Sequence, residues 1–377
     1  MGVNLGDLAE SRTLQWSEMA GKVLAVDAYN TLYQFLSSIR GADGSLLTDT
    51  KGRVTSHLTG LFYRSVKWLE AGVKPVFVFD GKPPDLKRKT LDERRERKAE
   101  AEKARALALD SGDLESARMY SQATSKLTPE MAAQAKELLA ALGIPSLQAP
   151  SEGEAQAAEL VRQGLAWASA SQDYDSLLFG CPRLVRNLST SGRRKLPRRN
   201  DYVNVEPELF ELESILSHAS LTREQLVWMG MLVGTDFNGG VMGIGPKKAH
   251  KLVAGAKSFK EVIARMDAGS KKPTSASPKE NPDEENLDRQ TMAALSASPA
   301  SSSAPAGLEN WEEIEQFFLH PPLAQTPQIT FGKPDKRAVE ALLCGQFDFS
   351  AERVGRTLDA LVEQQKERGA QKTLGEW

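Results

Sequence analysis

Between Ala149 and Gly180 the chain reads Pro150-Ser-Glu-Gly-Glu-Ala155, an alanine-rich helical run, the small apolar stretch Ala166-Trp-Ala-Ser-Ala-Ser171, and Gln172-Asp-Tyr-Asp175. The pattern predicts a helix opened by the acidic pair Glu152 and Glu154, then a strand that ends in a second pair, Asp173 and Asp175. In an α/β fold, ligands sit at the carboxyl ends of the strands. Four acids converging there would repel one another unless a cation lay between them. Each pair also has a plainer reading. Ser151 with Glu154 makes a capping box, and acids in a first turn suit the helix dipole. Asp173 and Asp175 suit a turn after a strand. Residues two apart on extended backbone point the same way, so both aspartates can face one pocket.

The same device recurs upstream. Val23-Leu-Ala-Val-Asp27 and Pro75-Val-Phe-Val-Phe-Asp80 are short apolar runs ending in an acid, the signature of buried parallel strands. The spacing predicts helices over Tyr29–Arg40, Ser56–Glu70, Thr128–Leu142 and Leu221–Val233, a polar loop over 41–52, and a short strand up to Gln148. Arg183–Leu188 and Tyr202–Val205 flank a basic, glycine-containing loop and predict a β-hairpin. From Asp85 to about Lys126 the chain is highly charged, helix-prone and poor in large apolar residues. It reads as a solvated helical hairpin whose Lys87 and Arg94, seven residues apart, share one face. Gly243-Ile-Gly-Pro-Lys247 and Lys248 open a helix with free N–H groups and lysines that suit a phosphate, or make a tight turn between helices. Asp236 is a seventh acid at the end of an element.

No apolar run approaches the ~20 residues of a membrane helix, and the N-terminus lacks a secretory apolar core, so an intracellular protein is expected. Cys181 and Cys344 form neither a zinc pattern nor a disulfide framework. The net charge of −2 argues for no polyanionic partner by itself, but basic runs such as Arg94-Arg-Glu-Arg-Lys98 and Arg193-Arg-Lys195 are clustered. Residues 268–307 turn to Ser, Pro, Ala, Lys and Glu, and are expected to be a disordered insertion.

With Asp80-Gly-Lys-Pro-Pro84, Ser151-Glu-Gly-Glu154, Gln172-Asp-Tyr-Asp175, Gly234-Thr-Asp236 and Gly243-Ile-Gly-Pro-Lys247 in this order, the chain resembles the flap endonucleases over nearly its whole length, most like the archaeal branch. The resemblance implies an α/β core, with a twisted, mostly parallel central sheet flanked by helices, a helical arch and a helix-two-turn-helix. It divides the chain into an N-terminal nuclease region 1–100, an arch over 85–126 and an internal nuclease region 127–267, with the helix-two-turn-helix at 234–253. The insertion 268–307, a C-terminal helical region 308–366 and a sliding-clamp-binding tail 367–377 complete it.

It further implies two Mg²⁺ ions held by Asp27, Asp80, Glu152, Glu154, Asp173, Asp175 and Asp236, with Lys87 and Arg94 as the basic pair on the scissile phosphate. DNA contacts would fall to Gly2, Tyr33, Arg40, Arg64, Lys87, Arg94, Glu152, Gly234, Asp236, Gly243, Gly245, Lys247 and Lys248, with a K⁺ ion at the Gly-Ile-Gly turn. Gln371, Leu374 and Trp377 match the box that binds the sliding clamp (proliferating cell nuclear antigen). That box usually ends in two aromatics and this chain has one, which implies weaker clamp binding. The implied activity is a monomeric, Mg²⁺-dependent, structure-specific 5′ flap endonuclease with 5′-3′ exonuclease activity, serving Okazaki-fragment maturation and base excision repair. Competing readings are a Holliday-junction resolvase or 5′ exonuclease of the same superfamily, or a non-catalytic clamp-bound DNA scaffold. The long charged arch and the tail favour the flap enzyme over the resolvase, and a scaffold needs no set of seven acids.

Overall fold

The two apolar runs that end in Asp27 and Asp80 are adjacent parallel strands in the computed structural model, which describes residues 10–41, 44–189, 192–195, 202–270, 305–325 and 328–374. In chain order the strands are β1 (Arg12–Thr13), β2 (Val23–Asp27), β3 (Lys74–Phe79), β4 (Ser146–Gln148), β5 (Ala168–Ala170), β6 (Arg183–Arg186), β7 (Gly192–Lys195), β8 (Tyr202–Val205) and β9 (Glu208–Glu211). Seven of them form one sheet in the order β1, β9, β6, β5, β2, β3, β4. The run from β6 to β4 is parallel, and β9 and β1 close one edge antiparallel. The sequence-based expectation of an α/β fold with a mostly parallel sheet holds.

The helices that matter for the site are α1 (Trp16–Met19), α2 (Ala28–Ser38), α3 (Ser56–Glu70), α4 (Arg88–Asp110), α5 (Leu114–Ala123), α6 (Pro129–Ala141), α7 (Gly153–Arg162), α8 (Asp175–Leu178), α9 (Leu212–Ala219), α10 (Arg223–Val233), α11 (Pro246–Val253) and α12 (Phe259–Ser270). Side chains alternate across the central strands, so each face of the sheet has its own core. Leu24, Val26, Phe77 and Phe79 pack with α2, α3, α6 and the helix Ala351–Leu374. Ala25, Val76 and Val78 pack with α7, α8, α10 and the helix Trp311–Leu319. These strand residues are almost wholly buried, and each large one contributes about 1.5–3 kcal/mol of apolar burial. Both faces being covered is why β2 and β3 read as unbroken apolar runs.

Three expectations are corrected. Arg183–Leu188 does not pair with Tyr202–Val205. Leu184 and Val185 are buried on both faces, so β6 joins the main sheet between β5 and β9, and the hairpin partner of β8 is the basic β7. Ser151 with Glu154 is not a capping box, because the N-cap of α7 is Glu152 and it makes no side-chain cap bond. Asp173 and Asp175 are not on extended backbone, since Tyr174 between them is helical and Asp175 opens α8.

The charged segment forms α4 and α5, packed on each other. Of the expected insertion, residues 268–270 end α12 and 305–307 form a turn against the 234–240 loop, where Asn238 Nδ2 donates to the Gly307 carbonyl at 3.2 Å. The remainder of that segment, Gly2 and Trp377 lie outside the described residues. The backbone from Gln371 to Leu374 continues a helix where the sequence predicts a loose tail; the segment Glu363-Gln-Gln-Lys-Glu-Arg368 is made of strong helix formers. Among the described residues, no helix is long and apolar enough to cross a membrane.

Candidate active site and nucleic-acid interface

The parallel strands all deliver their carboxyl ends to one edge, and the acids follow from that topology. Asp27 is the last residue of β2, and Asp80 follows β3. Glu152 and Glu154 open α7 after β4, Asp173 follows β5, Asp175 opens α8 and Asp236 follows α10. All seven line a single cleft of about 850 Å³, together with Tyr33, Lys87 and Arg94.

Local chemistry fixes several of these side chains. Asp27 caps α2 by accepting the Asn30 N–H at 3.0 Å. Asp80 Oδ1 accepts the Gly153 N–H at 2.7 Å, and a Cβ at Gly153 would stand 2.7 Å from that same oxygen, so a side chain there would push Asp80 out of its place. Lys87 Nζ lies 2.7 Å from Glu152 Oε2 and 3.3 Å from Asp236 Oδ2, and Arg94 Nη2 lies 2.5 Å from Asp236 Oδ1.

Burial, and then the neighbouring acids, dominate the electrostatics. Burial raises the Asp27 carboxyl well above the ordinary carboxylate range, with Asp80 adding to it and the Asn30 N–H opposing. Burial and then Asp175, Asp27 and Asp173 do the same to Glu154. Burial also raises Asp80 and Glu152, against the Gly153 N–H in the first case and Lys87 in the second. Burial works against the Lys87 ammonium, but Glu152 and Asp236 overcome it and hold the lysine charged. Glu154 Oε1 is buried with no hydrogen-bond partner. Oxygen-only donors whose charged form is disfavoured by burial and then by neighbouring acids, one oxygen orphaned, suit a hard divalent cation. Among the described residues, no three acids already stand together as an ion cage; Lys87 and Arg94 supply the counter-charge to Glu152 and Asp236.

A pH effect follows. A carboxyl whose pKa is raised in the fold holds its proton more tightly there than in the unfolded chain. Its favourable contribution is complete below the ordinary range and is lost as pH rises from there through the folded value. In chelator, the melting temperature of Glu154→Gln relative to the unchanged chain should therefore rise by a few degrees between about pH 5 and pH 8. Two parallel melting curves across that range would show that the buried carboxyl carries no such penalty.

The other sequence-derived residues are distributed more widely. Tyr33 is half-exposed at the cleft, with Lys98 Nζ 5.2 Å above its ring. Arg40 does not line the cleft; it donates to the Gly44 carbonyl at 2.8 Å and to Ser125 Oγ at 2.7 Å, which ties the chain just after α2 to the chain leaving α5. Arg64 is half-buried on α3 and does not line the cleft. Gly234 (φ 114°) ends α10, Gly243 (φ 78°) lies in the turn, and Gly245 caps α11, whose Lys247 and Lys248 are exposed. Sequence reasoning missed Asn30 and Lys98, which also line the cleft. Lys98 was findable, since it lies eleven residues after Lys87 and four after Arg94, on their helical face.

Comparison with known proteins shows the family. The XPG N-terminal domain family matches residues 3–101 and the XPG I-region family residues 143–236. The chain is 45% identical over 383 residues to flap endonuclease 1 of Aeropyrum pernix, covering 100% of this chain and 99% of that one. The structure is similar to flap endonuclease-1 from Methanococcus jannaschii at TM-score 0.67 and 34% identity, covering 97% of this chain and 100% of that one. It is similar, at TM-score 0.67 and 25% identity, to the catalytic core of Rad2 in complex with DNA substrate, covering 96% and 100%. A fold that brings seven acids and two basic side chains to one sheet edge, in a chain similar along its whole length to these proteins, belongs to the flap endonuclease 1 family of XPG nucleases.

Proposed function

We propose that the chain is a structure-specific nuclease that cuts 5′ flaps from branched DNA, with 5′-3′ exonuclease activity, in Okazaki-fragment maturation and base excision repair. The observation that carries this reading is the convergence of Asp27, Asp80, Glu152, Glu154, Asp173, Asp175 and Asp236 with Lys87 and Arg94 in one cleft. The acids would hold two Mg²⁺ ions, which supply an activated water and offset negative charge on a phosphodiester. Lys87 and Arg94 orient the scissile phosphate by exchanging Glu152 and Asp236 for its oxygens, and Tyr33 offers a ring face to a displaced base. The test is cleavage of end-labelled double-flap DNA beside a four-way junction and a blunt duplex, with Mg²⁺ and with chelator. One cut near the base of the 5′ flap, lost in chelator and weak on the other two, is expected. A flap bound but never cut would sink the reading, and symmetric junction cuts would replace it with a resolvase.

Duplex anchoring falls to the N-terminus of α11. Its exposed lysines and the turn Gly243–Gly245 suit phosphates, and the turn carbonyls suit K⁺. Lys247→Ala is expected to weaken duplex binding alike for every sequence and to reduce the salt slope by about 1. An unchanged slope would make this a plain turn between helices. The tail Gln371, Leu374 and Trp377 is assigned to a sliding clamp. Deleting 371–377 is expected to leave basal cutting intact and abolish stimulation by the clamp; undiminished stimulation would refute that assignment.

A further inference from the structure

We propose that Asn30 is a positioning residue for Asp173, held in its working orientation by a directional hydrogen-bond relay through Gln34 and Ser189; the inference rests on the ion-holding role given to Asp173 above. Asn30 lies in the first turn of α2, between the ends of the paired strands β2 and β5. Its backbone N–H donates to Asp27 Oδ1 at 3.0 Å, and its side-chain Nδ2 donates to Asp173 Oδ2 at 2.9 Å. One residue thus holds two acids that leave neighbouring strands.

The relay has a polarity that Asp173 dictates. A carboxylate can only accept, so the Asn30 amide must present its NH₂ to Asp173 and turn its Oδ1 away. That oxygen then requires a donor, and Gln34, one helical turn on, supplies Nε2 at 2.9 Å. Gln34 Oε1 is left pointing onward, where the Ser189 hydroxyl donates to it. Reversing any link would turn the Asn30 carbonyl oxygen onto the Asp173 carboxylate. Beside the relay is a void of about 10 Å³ lined by Val26, Trp68 and Leu188 as well as Asn30, Gln34 and Ser189, room for one water at most. Asn30 faces the open cleft at one end of the relay, and Ser189 is buried at the other.

The experiment uses the full chain, stripped of metal and without DNA, and reads Mn²⁺ binding by electron paramagnetic resonance of the free ion, with melting in chelator as the folding control. Partners that orient a metal-binding carboxylate typically matter about 10–100-fold in affinity. Asn30→Ala is expected to weaken Mn²⁺ binding by that factor. Gln34→Glu, equal in size but able only to accept, should invert the Asn30 amide and cause a comparable loss, with melting in chelator little changed. Ser189→Thr keeps the hydroxyl and should bind as the unchanged chain does, whereas Ser189→Ala should lose affinity. Unaltered Mn²⁺ affinity in Asn30→Ala and Gln34→Glu would overturn the proposal, as would Ser189→Thr losing as much as Ser189→Ala. Failure of the unchanged chain to bind Mn²⁺ would overturn the ion-site reading beneath it, a result distinct from the other two.

Discussion

Asp173→Ala should lower single-turnover flap cutting by at least about 10³-fold at saturating DNA while leaving the dissociation constant for the flap nearly unchanged. Each tenfold is about 1.4 kcal/mol of barrier, and a cation placed on a phosphoryl oxygen supplies several kcal/mol, so loss of one carboxylate from its cradle is worth about three decades. Binding survives because backbone-led DNA contacts are many and spread, and an acid contributes none of the attraction. The variant also separates chemistry from folding. Asp173 is among the charges that push Glu154 and Asp27 upward, so removing it relieves both. Its melting temperature in chelator should equal or exceed that of the unchanged chain. Cutting within tenfold of normal would remove Asp173 from the site, and a lower melting temperature would assign it a structural role instead.

The acids were legible because the topology that gathers them is itself legible. Leu24–Val26 and Pro75–Phe79 are buried on both faces, hence unbroken apolar runs, and an acid that ends such a run has the carboxyl edge as its destination. Helix α3 has the predicted bounds, Ser56–Glu70, because its apolar spacing is regular. What failed depended on partners remote in sequence. Arg183–Arg186 has the composition of a hairpin strand, and only the buried positions beside β5 and β9 settle its place. Ser151 has the form of a cap, but Glu152 takes the N-cap position and pairs with Lys87, while Glu154 lies buried in the cleft. The Asn30–Asp173 contact spans 143 positions and Gln34–Ser189 spans 155, and neither amide belongs to a pattern that sequence periodicity can see. Spacing finds elements and edge acids; it does not find the polar groups that orient them.

Lys87→Ala should lower the cutting rate at saturating DNA by about 10²–10³-fold, the range for deleting one donor aimed at developing charge, with less than tenfold change in DNA affinity. Lys87 stands at the entry to α4, its Nζ 2.7 Å from Glu152 and 3.3 Å from Asp236, in a side chain that is largely buried. Those acids hold it charged against burial, so it is a fixed cation at the rim of the acidic cleft. A lysine serving only as their counter-ion would, when removed, leave Glu152 and Asp236 less compensated and the chelated chain less stable, with a modest effect on rate once metal and DNA are bound. A lysine that exchanges the acids for the scissile phosphate would lower the rate in the loaded complex. Arg94 shares Asp236 with it, so the double variant Lys87→Ala, Arg94→Ala should lose less than the product of the two single losses. Lys87→Arg keeps the charge but replaces a compact ammonium with a planar fork, and should recover only part of the rate. If the whole deficit of Lys87→Ala appears in DNA affinity, with the rate at saturation restored, the residue steers the strand rather than acting on the phosphate that is cut.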